Sequence, residues 1–265
     1  MSGRVDFRLD TRAGGSIACL TIDNHAKLNT LDRALMTEFI VAVDGLAARE
    51  DLRALVLSGA GDQAFIGGAS IPEMAALDRA SARDFITLVH RTCDCLRRLP
   101  VPVIARIDGY ALGAGLEVAV SCDLRVASTR AKFGMPEVRV GIPSVVEAAL
   151  IPRLVGFGRA CELLMLGEMI DAETALRWGL VERVVTPAAL DGEIEKIVGA
   201  LMAAGPQAVR RQKALMRQWE ELPATTAIAA GIDAFARAFE TDEPNRMLSA
   251  FINRKRPAGE AKKRR

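Results

Sequence analysis

The chain has 265 residues, half of them apolar, which suits one large domain or one domain plus a smaller piece and is enough to bury a sizeable core. A net charge of +2 offers no global field toward nucleic acid, five cysteines without a C-x-x-C pair fit a reducing compartment better than a disulfide framework, and two histidines make a structural zinc site a poor fit. No run of about 18 apolar residues spans a membrane, and residues 1–10, with Arg4, Asp6, Arg8 and Asp10, lack targeting character, so a cytoplasmic location is expected.

Residues 5–9 alternate apolar and charged, Gly14-Gly15 breaks the pattern, and residues 16–22 resume it, which predicts a hairpin. A loop follows through Asn24-His25-Ala26-Lys27-Leu28-Asn29. Asp32 is placed to cap a helix burying Leu35, Phe39, Val43 and Leu46. Residues 54–57 read as a short buried strand, and Gly59, Gly61, Gly67 and Gly68 as a glycine-rich loop. Ser81 is expected to cap a helix over residues 82–99 that Pro100 ends. Residues 101–107 form a buried strand, 113–120 a helix and 124–127 another strand. Strands alternating with helices argue for βαβ units and an α/β fold.

From Ser144 onward the pattern is almost wholly helical: 144–154, 159–166, 172–178, 188–203, 207–219, 224–241 and 243–253, interrupted only by a strand at 180–184. Thr186-Pro187 reads as a cap with proline at the first helical position. A soft boundary near residues 199–206 divides a catalytic core, 1–200, from a helical C-terminal region, 201–265, whose basic tail is expected to fray.

The chemistry concentrates in residues 104–137. An aliphatic strand ends at Gly109, and Gly113-Ala114-Gly115 opens a helix, letting backbone N–H groups approach a ligand with the positive end of the helix dipole behind them. Glu117 is a carboxylate on an otherwise apolar helix, costly unless it has a partner or a task. Position 118 is valine, so the third glycine of a dinucleotide fingerprint is missing and NAD binding is disfavoured. Cys122 has no histidine near it in sequence and reads as a small buried residue, and His90 as a structural residue on an amphipathic helix.

This stretch, with Cys122-Asp123-Leu124, Ala64-Phe65-Ile66-Gly67-Gly68-Ala69-Ser70-Ile71 upstream, and Phe133-Gly134-Met135-Pro136-Glu137 and Trp178-Gly179-Leu180-Val181 downstream, resembles the enoyl-CoA hydratase/isomerase (crotonase) family over about residues 5–256. The resemblance implies a spiral of ββα repeats, with the helical C-terminal region building contacts of a trimer or of a dimer of trimers. It implies an acyl-CoA thioester substrate, with coenzyme A as part of that substrate and no metal or redox cofactor.

It further implies an oxyanion hole made by the N–H groups of Ala69 and Ala114, and Glu117 and Glu137, twenty positions apart, as the acid–base pair of a hydratase. Glu117 would position and deprotonate the water and Glu137 would protonate the α carbon. Taken alone, the same residues also read as close helix–strand packing, a buried ion pair for Glu117 and a solvated loop carboxylate at Glu137. Lys27, Ile66, Gly68, Ala69, Ile71 and Gly113 are the expected substrate- and CoA-binding positions, with Ile66, Gly68 and Ala69 offering backbone to adenine. Pro72 and Glu73 follow Ile71 where the family often has a lysine, so one phosphate contact is expected to be missing.

The segment after Glu137 departs from the family: a glycine-rich run gives way to Gly141-Ile142-Pro143-Ser144-Val145-Val146-Glu147, which predicts a bulkier wall. Ser144-x-x-Glu147 reads as a capping box. The other reading is that Glu147 reaches the pocket and alters the reaction. Isomerase, hydrolase and decarboxylase outcomes therefore stay open beside hydration. Arg254, Lys255 and Arg256 follow Phe251 as in the family's C-terminal pattern, which can touch CoA of a neighbouring subunit. An RNA-binding role, suggested by the basic run at 262–265, is disfavoured by the near-neutral balance and by only one tyrosine and two tryptophans.

Overall fold

β1 (Arg4–Arg12) and β2 (Gly15–Asp23) pair antiparallel over their whole length, Val5 opposite Ile22 and Leu9 opposite Ala18. In this computed structural model, which describes residues 3–254, the hairpin forms one edge of a six-stranded sheet. Asp32 caps α1 (Arg33–Asp44) through Leu35 N–H at 2.8 Å, and Leu35, Phe39 and Val43 pack beneath the sheet as the 3.6-residue period requires.

The chain then runs through three pairs of strands. These are β3 (Leu52–Gly59) with β4 (Ala64–Ile66), β5 (Val103–Ile107) with β6 (Tyr110–Leu112), and β7 (Leu124–Ser128) with β8 (Lys132–Gly134). The first strand of each pair joins the larger sheet, ordered β1-β2-β3-β5-β7-β10, where β10 is Arg183–Val185. The second joins a four-stranded sheet, ordered β4-β6-β8-β9, where β9 is Met169–Asp171. Within the pairs' own ladders all neighbours are parallel. Helices return the chain between turns: α2 (Ile71–Ala75) and α3 (Arg79–Arg98) after β4, and α4 (Ala114–Ser121) after β6. Each turn thus advances one strand along both sheets at once, which is a ββα spiral. β5 and β7 are covered on both faces and read as nearly continuous apolar runs.

The strands β4, β6 and β8 have three residues each and lie where the sequence predicts loop or nothing. Three residues are too few for alternation to register. Three boundaries also shift. α3 begins at Arg79 because Asp78, not Ser81, is its cap; Ser81 sits three residues in and closes the capping box on Asp78. Thr186 stands at the cap position of the 3-10 turn Pro187–Ala189, without a side-chain bond. Residues 144–154 are not one helix but the 3-10 turn Val146–Leu150 followed by α5 (Ile151–Val155). After α6 (Phe157–Leu166), β9 (Met169–Asp171), α7 (Ala172–Trp178) and β10 (Arg183–Val185) complete the two sheets, and α8 (Leu190–Ala203) follows.

The backbone separates into two compact units, Met1–Gly199 and Ala200–Arg265, the division falling inside α8. Within the second, α9 (Pro206–Trp219), α10 (Ala224–Ala238) and α11 (Glu243–Arg254) are held partly by Glu243. Its carboxylate accepts from Gln207 N and Ala208 N at 3.1 and 2.8 Å, satisfying first-turn amides of α9. Ile228, Ile232, Phe235 and Phe239 of this unit are exposed. Among the described residues no helix is long and apolar enough to cross a membrane. Lys255, Arg256 and the basic run at 262–265 lie outside the described residues, as does the side chain of Arg254.

Candidate active site

The first loop is pinned from below by Asn29, fully buried. Its Nδ2 donates to the carbonyls of Ala60 and Ala64 at 2.9 and 2.7 Å. Gly67 N–H then bonds Leu28 O, and Leu31 takes both Gly68 O and Ser70 N–H, each at 2.8 Å. Successive amides along an extended segment face opposite ways, so Ala69 N–H points away from Leu31. It has no acceptor among the described residues. Gly68, at φ +119, makes this turn possible.

The second loop mirrors it. β6 delivers Gly113 at φ +51, its N–H bonded to Gly134 O at 2.9 Å, and Gly113 O accepts from Leu116 and Glu117 as α4 begins. Ala114 is the first residue of the helix, so its N–H has no partner within α4. Gly68, Ala69, Gly113 and Ala114 all line one cavity of about 210 Å³.

Glu117 and Glu137 line the same cavity. Glu117 is buried, with no cation facing it among the described residues, and burial followed by repulsion from Glu137 and Glu147 pushes its carboxyl up to about 8; the Ala148 N–H partly offsets this. It is therefore not an ion pair. Glu137, on the 3-10 turn Pro136–Val140, is raised by burial and held down in part by Ser144, whose Oγ donates to Oε2 at 2.9 Å. It is not the free loop carboxylate that its neighbours in sequence allow.

The remaining lining is mostly apolar: Met74, Phe85, Ile86 and Val89 with Val140, Ile142, Pro143 and Val145, the last three from the segment for which the sequence predicts a bulky wall; Arg139 also lines it.

Two predicted binding positions stand apart from the cavity. Ile66 is buried in β4 with its carbonyl against Gly115, so neither its side chain nor that carbonyl is available to a ligand. Lys27 is exposed on the short turn His25–Lys27 and does not line the cavity. Ile71, half exposed, and Gly68 do. Glu73, in the first turn of α2, accepts from Arg33 N at 3.2 Å.

The capping box at Ser144 and Glu147 does not form. Ser144 holds Glu137, and Glu147 turns inward to His90, Nδ1 to Oε1 2.8 Å, without lining the cavity. The backbone reason is Val146 at φ +40, a β-branched residue in the left-handed region, a strain of about 1–3 kcal/mol. His90, expected to be purely structural, is half exposed at its side chain and bonded to this carboxyl. Ser144, Asn29, Phe85 and Val89 escaped sequence reasoning as site residues, although Phe85 and Val89 share one helical face and Asn29 sits in a turn-rich loop.

Two amides at residues that line one cavity and two carboxyls of raised proton affinity lining it with them are groups able to stabilise an oxyanion and to move protons beside it. The model of the family described as enoyl-CoA hydratase/isomerase matches residues 12–262. The chain belongs to the enoyl-CoA hydratase/isomerase family. It is 35% identical over 246 residues to the short-chain-enoyl-CoA hydratase of Clostridium acetobutylicum, covering 92% of this chain and 94% of that one. It is also 35% identical to the crotonyl-CoA hydratase of Syntrophomonas wolfei, covering 91% of this chain and 93% of that one. The crystal structure of an enoyl-CoA hydratase from Mycobacterium smegmatis superposes with a TM-score of 0.89 at 33% identity, covering 95% of this chain and 97% of that chain. The spiral of this family member is thus the family's fold.

Proposed function

We propose that this protein hydrates the 2,3 double bond of an enoyl-CoA thioester. The observation that supports this best is the convergence of Ala69, Ala114, Glu117 and Glu137 on one cavity. The names of the relatives point the same way. The thioester oxygen sits between the two amides, which are neutral and already oriented, so charge developing there needs no reorganisation; each donor contributes about 3–4 kcal/mol to the transition state.

One water lies between the carboxyls. Glu117 takes its proton as oxygen adds to the β carbon, and Glu137 gives a proton to the α carbon as the enolate collapses. The pair must hold one proton between them, and it titrates as a unit. The steps are acid–base chemistry and need no metal or redox cofactor; coenzyme A enters as part of the substrate. The apolar wall takes the acyl chain, Gly68 and Ile71 lie where the thioester arm enters, and Lys27 meets the nucleotide only by reaching across the surface. A cytoplasmic homotrimer or dimer of trimers follows from the family resemblance, and the exposed apolar face of α10 suits such burial.

Incubation with crotonyl-CoA in labelled water tests the reading. It requires 3-hydroxybutyryl-CoA carrying the label. A shifted double bond assigns isomerisation, free CoA a hydrolase, and carbon dioxide from a carboxylated thioester a decarboxylase.

A further inference from the structure

Three elements meet around α4, the helix that carries Glu117: α3, α4 and the turn Val146–Leu150 pack against one another. At their junction lies a third carboxyl, Glu147, only 6% exposed. One oxygen faces His90 Nδ1 at 2.8 Å, and His90 itself is 50% exposed at its side chain. The other oxygen, Oε2, is buried and makes no hydrogen bond among the described residues. The Cys93 thiol faces the same carboxyl, and Arg97 lies farther along α3. Glu117 is within electrostatic reach from α4, and Glu137 acts on Glu117 from the cavity side.

A buried carboxyl with an unpartnered oxygen is costly, and the strained Val146 is what brings it here. A merely structural site would be better filled by an apolar side chain. We propose that Glu147, held by His90, is a positioning residue that fixes how readily Glu117 gives up its proton to become the base and so sets the acid limit of turnover.

Glu147 has its own donor, from His90, whereas Glu117 has no side-chain donor among the described residues and faces two carboxyls. Burial raises the Glu147 carboxyl and the His90 bond lowers it in part; its charge when ionised, poorly screened in a dry junction, opposes ionisation of Glu117. Consistent with that, repulsion from Glu147 is among the causes that raise Glu117, and burial together with both carboxyls raises the Cys93 thiol as well. Glu147 would then act on the acid–base pair by charge rather than by contact with substrate.

This inference rests on the acid–base role proposed for Glu117, and its test reads Glu117 with and without turnover. In the full-length protein the titration of the Glu117 carboxyl is followed by carbon-13 NMR, assigned with Glu117→Gln, alongside the pH profile of kcat/KM for crotonyl-CoA. Glu147→Gln is expected to move both the titration and the acidic limb down by about one pH unit. His90→Leu, at a half-exposed position that tolerates change, removes the donor that favours the ionised form of Glu147 and moves both the same way by less. Curves that coincide with the parent in both variants overturn the proposal. If the parent does not hydrate crotonyl-CoA while its Glu117 titration still moves, the hydratase reading fails and the inference about Glu147 stands.

Discussion

Gly113 and Glu137 are in such close contact that a Cβ on the glycine would overlap the carboxylate oxygen of Glu137. The glycine therefore does two things: it takes the backbone through φ +51 into α4, and by lacking a side chain it leaves Glu137 its place. Gly113→Ala should displace the carboxylate and strain the backbone together. The expected outcome is a loss of kcat of about 10²–10³-fold, the size of a lost oxyanion donor, with a stability loss of about 1–3 kcal/mol. Steady-state kinetics and denaturant melts of the same preparation check both numbers.

Glu117 should destabilise the fold that it serves. Its ordinary value is 4.5 and its folded value about 8. Between those limits the folded state binds more protons than the unfolded one, so stability contributed by the protonated group is present below pH 4.5 and is lost as pH rises through about 8. Glu117→Gln removes that slope. The variant should be more stable than the parent at pH 8, by on the order of 1–3 kcal/mol, while hydration falls by about 10²–10⁴-fold. Melting curves across pH read the sign directly.

Ser144 donates to Glu137 Oε2 at 2.9 Å and holds that carboxyl down against its burial. Ser144→Ala should let Glu137 keep its proton to higher pH and lose some of its orientation. A fall in kcat of about 5–30-fold is expected, corresponding to about 1–2 kcal/mol for a bond to a charged acceptor, with little change in KM. A KM effect alone would instead place Ser144 among the substrate contacts.

Val145 lines the apolar cavity together with Phe85 and Val89. Val145→Ala opens the wall without disturbing either carboxyl. The chain-length optimum of kcat/KM across a panel of enoyl-CoA thioesters should move to longer acyl groups, each newly accommodated methylene gaining about 0.8 kcal/mol, or roughly fourfold.

The sequence exposed the site where its chemistry depends on residue type at fixed spacing. Gly113-Ala114-Gly115 with Glu117, and Gly68-Ala69 upstream, are local signatures of a backbone that must come close to something. The acidic pair was legible as a spacing, but its surroundings were not. Ser144 and Glu147 match a capping box in sequence, yet Val146 at positive φ and the buried junction with α3 send one to Glu137 and the other to His90. The spiral itself was invisible to periodicity, because β4, β6 and β8 are three residues long and exist only through their neighbours in the ladder. Asn29 likewise acts through three carbonyl and amide groups contributed by other parts of the chain. Tertiary partners, not local propensity, decided each of these.

The most direct test of the central claim is a crystal structure of Glu117→Gln with crotonyl-CoA bound. The account predicts the thioester oxygen about 2.7–3.1 Å from both Ala69 N and Ala114 N, with the β carbon beside the side chains at 117 and 137. A thioester oxygen bound by neither amide, or an acyl chain lying outside this cavity, would contradict it.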